Sequence, residues 1–165
     1  MPRRLEVLAL LICGCAHTGA TAEDREGLDI ALPDLRGEIV RPAAKSEADV
    51  FVLAFWATWC QPCQQELSQM NAVLGELAPR GLHVYAISID GPDTMAQVGP
   101  WVQREGYAFP VLLDRETQVL TRYNPRGDIP YYVVLDAKGK VIDDHQGYMA
   151  GDVDVLAGEL KKILP

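Results

Sequence analysis

Val50-Phe51-Val52-Leu53-Ala54-Phe55-Trp56-Ala57-Thr58-Trp59-Cys60-Gln61-Pro62-Cys63 carries two hydrophobic periods with a C-x-x-C between them. Val50 to Phe55 is a continuous apolar run rich in strand formers, the pattern of a strand buried on both faces of a parallel or mixed sheet. From Gln61 to Leu77 the pattern changes. Cys63, Leu67, Met70, Leu74 and Leu77 recur at steps of four, three, four and three, which draws one apolar face of a helix, ended by Pro79 and Gly81. Cys60 thus falls where a strand gives way to a helix, beside the first free backbone N–H groups and the positive end of the helix dipole.

Outward from this stretch the chain alternates strands and helices. Glu23 to about Asp49 predicts a short β-hairpin turning at Pro33-Asp34-Leu35-Arg36-Gly37. His83–Ile89 and Tyr131–Leu135 read as further buried strands. Between them, Asp93 or Thr94 caps a helix reaching about Glu105, Phe109–Leu112 forms a short strand and Glu116–Tyr123 a short helix. Asp136-Ala137-Lys138-Gly139-Lys140 is a hairpin loop that pairs Tyr131–Leu135 antiparallel with Val141–His145. Asp152 caps a last helix carrying Leu156, Leu160, Ile163 and Leu164. No internal repeat or low-complexity tract interrupts this order, which predicts an α/β sandwich with a βαβ unit first and an antiparallel pair near the end.

The 165 residues, 48% of them hydrophobic, fit one globular domain. With 23 acidic residues against 15 Lys and Arg, the formal charge of −8 leaves no basic face for nucleic acid. The four cysteines divide into two pairs. Cys13 and Cys15 lie in an apolar run, Val7 to Ala16, that follows Arg3 and Arg4 and is roughly half the ~20 residues a membrane-crossing helix needs. This predicts residues 1–22 as an export signal and 23–165 as the folded domain. Two processing sites compete. Ala20-Thr21-Ala22 offers cleavage before Glu23, and Ile12-Cys13-Gly14-Cys15 resembles a bacterial lipoprotein box in which Cys15 takes the lipid. A buried N-terminal helix with inert cysteines is the plainer alternative, and beyond its two arginines the segment matches little of a twin-arginine signal. Removing residues 1–22 takes away Arg3, Arg4 and Glu6 and moves the formal charge from −8 to −9. Any membrane tether is then a lipid or an uncleaved signal and not charge. Export also sets the remaining pair where disulfides form and persist.

Cys60 and Cys63 have the spacing for disulfide exchange. A helix N-terminus lowers a thiol pKa below the ~8.5 of free Cys, and the thiolate is the attacking species. Cys63, one turn in and on the inward stripe, is placed to resolve a mixed disulfide at Cys60. Pro62 suits the first helical turn, where its missing N–H has no intrahelical acceptor. The proton of Cys63 needs an acceptor, and Glu66 lies one turn further on the same side. The alternative for Glu66 is a solvated surface residue.

The run Phe55 to Cys63, followed by Glu66, resembles the active-site signature of the TlpA/ResA-like thiol-disulfide oxidoreductases, a bacterial envelope branch of the thioredoxin fold. The likeness extends from about Gly27 to Pro165. It implies a central mixed sheet flanked by helices, with an N-terminal hairpin and an extra strand and helix before the last hairpin. It further implies Cys60 as nucleophile, Cys63 as resolving thiol, Glu66 as the group that tunes them, a redox-active Cys60–Cys63 disulfide and no cofactor. Ile129-Pro130 matches the family's cis proline. With Trp59 and Pro62 beside the sulfurs, it is expected to contact substrate through free backbone groups of Ile129 and its neighbours. Expected partners are protein thiols and disulfides and a membrane-bound electron donor, with the reducing direction favoured, as in cytochrome c maturation or envelope redox homeostasis.

Two departures stand out. Tyr131 replaces the usual Thr or Ser after the proline, which bears on how the Cys pair is covered. Ala54 stands where thioredoxins have a buried Asp, which shifts proton handling to Glu66. Three rival readings are weaker. A zinc site would need His83 and His145, which fall on different strands without the spacing of zinc modules. A peroxidatic site needs Pro and Thr or Ser where Leu53 and Ala57 stand. A non-catalytic thioredoxin-like module with a structural disulfide has no use for Glu66 or the proline.

Overall fold

The computed structural model describes residues 28–47 and 49–165. The expected signal, both processing sites and Cys13 and Cys15 lie outside the described residues. β1 (Leu32–Pro33) and β2 (Ile39–Val40) form the short antiparallel hairpin. Then follow β3 (Val50–Trp56), α1 (Gln61–Val73), β4 (Leu82–Ser88), α2 (Met95–Glu105), β5 (Val111–Leu113), α3 (Gln118–Tyr123), β6 (Tyr131–Asp136), β7 (Val141–Gln146) and α4 (Asp152–Ile163). The main sheet has the order β5-β4-β3-β6-β7, parallel on one side of β3 and antiparallel on the other. The α/β class and the mixed sheet agree with the sequence.

β3 is central, and all seven of its residues are buried, as a run without polar alternation requires. Its alternate side chains feed two cores. Val50, Val52, Ala54 and Trp56 pack with α1 and α4, while Phe51, Leu53 and Phe55 pack with α3 and with Leu28 and Ile30 of the entering chain. The active turn leaves β3 on the side of the first core.

Several boundaries differ from the sequence reading, most by one or two residues, and three have a physical reason. The helix after Cys63 is α-helical only to Val73 and continues as a 3-10 helix from Leu74 to Arg80, closed by Gly81 at φ 94°. Pro79 has no N–H to bond the carbonyl four residues back and its ring crowds that turn, so the last turns tighten instead. Asp152 is the first residue of α4, after Gly151 at φ 102°. Its carboxylate is drawn back to the Met149 N–H and the His145 ring. The strand expected over Phe109–Leu112 is Val111–Leu113, beginning after Pro110.

Candidate active site

At its carboxyl end β3 turns sharply into α1, with the Cys60 N–H donating to the Ala57 carbonyl at 3.0 Å. Cys60 (φ −96°, ψ 92°) is the N-cap of α1, and its Sγ accepts the Cys63 N–H at 3.3 Å. The sulfur thus stands in the position a capping oxygen usually fills. Cys60 and Cys63 are joined as a disulfide, with their Cα atoms 5.3 Å apart. Cys63 is fully buried, and Cys60 keeps 6% exposure. Cys60 is therefore the more accessible of the two. On reduction, the Cys63 N–H and the helix terminus favour a thiolate there.

Glu66 is 1% exposed, and its Oε1 has no hydrogen-bond partner among the described residues. The surface alternative is excluded. Burial, with the charge of Asp152 adding to it, pushes its pKa up to about 8. Tyr132, on the face of β6 that looks toward α1, is pushed up by burial first, then by Asp143, Glu66 and Asp152. The His145 ring stacks on Tyr132 at 5.4 Å, and its Nε2 lies 3.2 Å from Asp152. Glu66 thus sits on the inward face of α1, one turn from Cys63, with α4 and β6 closing over it.

Trp59 (61% exposed) and Pro62 lie at the surface on either side of Cys60. An open groove of about 820 Å³ runs from Pro62 past Gln65, Trp101 and Met149. Ile129–Pro130 is cis. The β3–β6 register pairs Phe55 with Tyr131, so one step further Pro130 comes level with Trp56 at the root of the active turn. The expectation of free backbone groups holds for Ile129 alone, which has no backbone hydrogen bond among the described residues. Its neighbours are engaged. The Pro130 carbonyl accepts the Gly147 N–H at 2.9 Å and Gln146 Nε2 at 2.8 Å, and the Asp128 carbonyl accepts Asn124 Nδ2.

Tyr131 does not cover the sulfurs. It points into the opposite core, 6.0 Å from Phe55, with its hydroxyl donating to the Tyr123 carbonyl. The strand's alternation turns Tyr132 to the sulfur side in its place. Ala54, Leu53 and Ala57 are fully buried and apolar, so no carboxylate stands at the first position and no peroxidatic proline or hydroxyl at the others. His83, on β4, stacks on Phe51 at 4.9 Å and approaches Asp49, while His145 belongs to β7. The sequence reading missed Asp90 and Ser88, and took Asp152 only as a helix cap, not as a neighbour of Glu66. The one signal for Asp90 was an acid before Gly91 at the end of an apolar strand, where α/β sheets gather ligand-binding groups.

A capping cysteine bonded to its partner one turn on, at the carboxyl edge of such a sheet, defines a thioredoxin-like protein of dithiol–disulfide exchange. Comparison narrows the class. The AhpC/TSA family matches residues 24–144. Thiol-disulfide oxidoreductase ResA of Bacillus thuringiensis is 32% identical over 142 residues, covering 86% of this chain and 73% of the relative. ResA of Geobacillus kaustophilus is 34% identical over 147 residues, covering 84% and 82%. A Chlorobium tepidum structure, provisionally named as the thiol:disulfide interchange protein DsbE, superposes with a TM-score of 0.73 at 26% identity, covering 86% and 96%. StoA of Bacillus subtilis shares the fold, with a TM-score of 0.61 at 20% identity over 81% and 93%. The chain belongs to the AhpC/TSA family and to its ResA-like thiol-disulfide oxidoreductases.

Proposed function

We propose that this thiol-disulfide oxidoreductase is an exported reductase of protein disulfides, with residues 23–165 as its working domain. The Cys60 thiolate attacks a substrate disulfide, forming a mixed disulfide and expelling one substrate thiolate. Cys63 gives its proton to Glu66 and attacks Sγ of Cys60, expelling the second. The enzyme dithiol is oxidised to the disulfide and the substrate disulfide is reduced to two thiols. A membrane-bound dithiol donor then restores the enzyme by the same exchange, and apocytochrome c or another envelope protein is the client. Trp59 and Pro62 flank the attacked sulfur, and Ile129 with Pro130 holds the substrate backbone.

Glu66 carries the proposal, because an acid buried behind a resolving cysteine with an unpartnered oxygen has no structural task. A pKa of about 8 leaves roughly one tenth of it ionised at pH 7, while making it a base matched to a thiol. The test is reduction of insulin by the wild type and by Cys60→Ser. Turnover lost in the variant is expected, and a wild type no faster than Cys60→Ser would leave a non-catalytic module. Direction is tested by equilibration with glutathione. A potential near the ~−120 mV of a strong oxidant would overturn the reductive assignment. Client proteins are trapped as mixed disulfides on Cys63→Ser. For the amino terminus we propose a bacterial envelope address. The mass of the exported chain distinguishes a start at Glu23 from a lipid on Cys15.

A further inference from the structure

Beneath the active turn lies a second buried acid that disulfide exchange does not by itself require. Asp90 follows β4 and is fully buried. Its carboxylate accepts the Thr58 N–H at 2.9 Å through Oδ2 and 3.2 Å through Oδ1, the Thr58 hydroxyl at 2.5 Å and the Ser88 hydroxyl at 2.9 Å. Every one of these partners donates, as an ionised carboxylate requires. No lysine or arginine is paired with it among the described residues. The Asp90 N–H is itself fixed on Ser88 Oγ at 3.2 Å.

Thr58 is the second residue of the turn that the Cys60 N–H closes on Ala57. From the other side Gln64 Nε2 donates to the Thr58 carbonyl at 2.7 Å. Thr58 is two residues before Cys60 within this turn, so the carboxylate bound to its N–H and hydroxyl is held beneath the same turn that carries the sulfur. Charges this near, with little water between them, are weakly screened. A negative charge disfavours a neighbouring thiolate, the reverse of what the Cys63 N–H and the α1 terminus do. The other titratable groups of the site are Cys63 and Glu66 on α1 and, packed about Glu66, Tyr132 on β6, His145 on β7 and Asp152 on α4.

We infer that Asp90 is a positioning residue which clamps the active turn through Thr58 and, by its buried charge, holds Cys60 toward the protonated thiol. This builds on the disulfide-exchange reading of the same site. A thiol held protonated stores its electrons less tightly than a stabilised thiolate, the setting of a donor of reducing equivalents.

The test is the pH profile of Cys60 alkylation in the reduced protein, read in Asp90→Asn and Thr58→Val. Asp90→Asn removes the charge and is expected to lower the Cys60 midpoint by roughly half a unit to one unit. Thr58→Val removes one donor but keeps the charge, and is expected to leave the midpoint at or above that of the wild type. An unaltered midpoint in Asp90→Asn, with only a lower melting temperature, would reduce Asp90 to a structural clamp and overturn the inference. So would a fall in Thr58→Val, a readout that remains if Asp90→Asn does not fold. Alkylation needs no substrate, so failure of insulin reduction in the wild type would refute the proposed function without touching this result.

Discussion

Glu66 and Asp114 are both acids with almost no exposure, 1% and 2%, and they are equipped in opposite ways. The Asp114 carboxylate accepts the N–H groups of Gln118, Val119 and Leu120 at 2.9–3.0 Å, filling the open first turn of α3. Burial still raises its pKa, with those bonds pulling the other way. Glu66 has no such relief. The contrast separates two kinds of buried acid: Asp114 has three backbone donors on its oxygens, whereas Oε1 of Glu66 meets none among the described residues and burial favours its protonated form.

The largest effect that separates the two is on stability against pH, measured as urea midpoints of the disulfide form. The folded state keeps the Glu66 proton that the unfolded chain has released. Its contribution is therefore full below the unfolded value of 4.5 and is lost as pH rises through about 8. The loss amounts to roughly 4–5 kcal/mol. Glu66→Gln should flatten that slope, and an unchanged slope would assign it to other groups. Next in size is a rate. Glu66→Gln should slow release of a mixed disulfide at Cys60 by about 10²-fold in stopped-flow measurements, at the low end for loss of a general base. Release at wild-type speed would remove Glu66 from the mechanism.

Asp114→Ala sharpens the contrast from the other side. Losing three hydrogen bonds at a helix start should cost about 2 kcal/mol in denaturant unfolding while leaving the thiol titrations in place. A shift in those titrations would mean that the two acids are not independent. The smallest effect is expected from Asp152→Asn. Removing the neighbouring charge that adds to burial at Glu66 should lower its pKa by less than about one unit, read from the side-chain carboxyl by NMR. A larger fall would place Asp152 ahead of burial as the cause.

Sequence alone disclosed the part of this site that lies along one stretch of chain. The buried run of β3, the apolar stripe of α1 and the C-x-x-C between them specify the strand, the turn and the inward direction of Cys63, because these follow from local periodicity. Glu66 was legible as an acid one turn on, and its burial was not, since that depends on α4 and β6 closing over it from more than 60 residues away. Tyr131 misled for a related reason. Which of two adjacent tyrosines faces the sulfurs is set by the register of β6 on β3, and a shift of one residue exchanges the faces. Asp90 carried no motif, because its partner Thr58 is 32 positions away and the two meet only where β3 and β4 end side by side.

The outer strand β7 runs for six residues along the open margin of the sheet, with Val141, Ile142, Asp143 and Asp144 all exposed. Such a margin is a template on which a stray extended chain, including a second copy of this one, can add itself. Adjacent acids point to opposite faces of a strand, so Asp143 and Asp144 repel an approaching copy above and below the sheet. Replacing both with asparagine should therefore leave the fold intact while letting concentrated solutions associate along this edge.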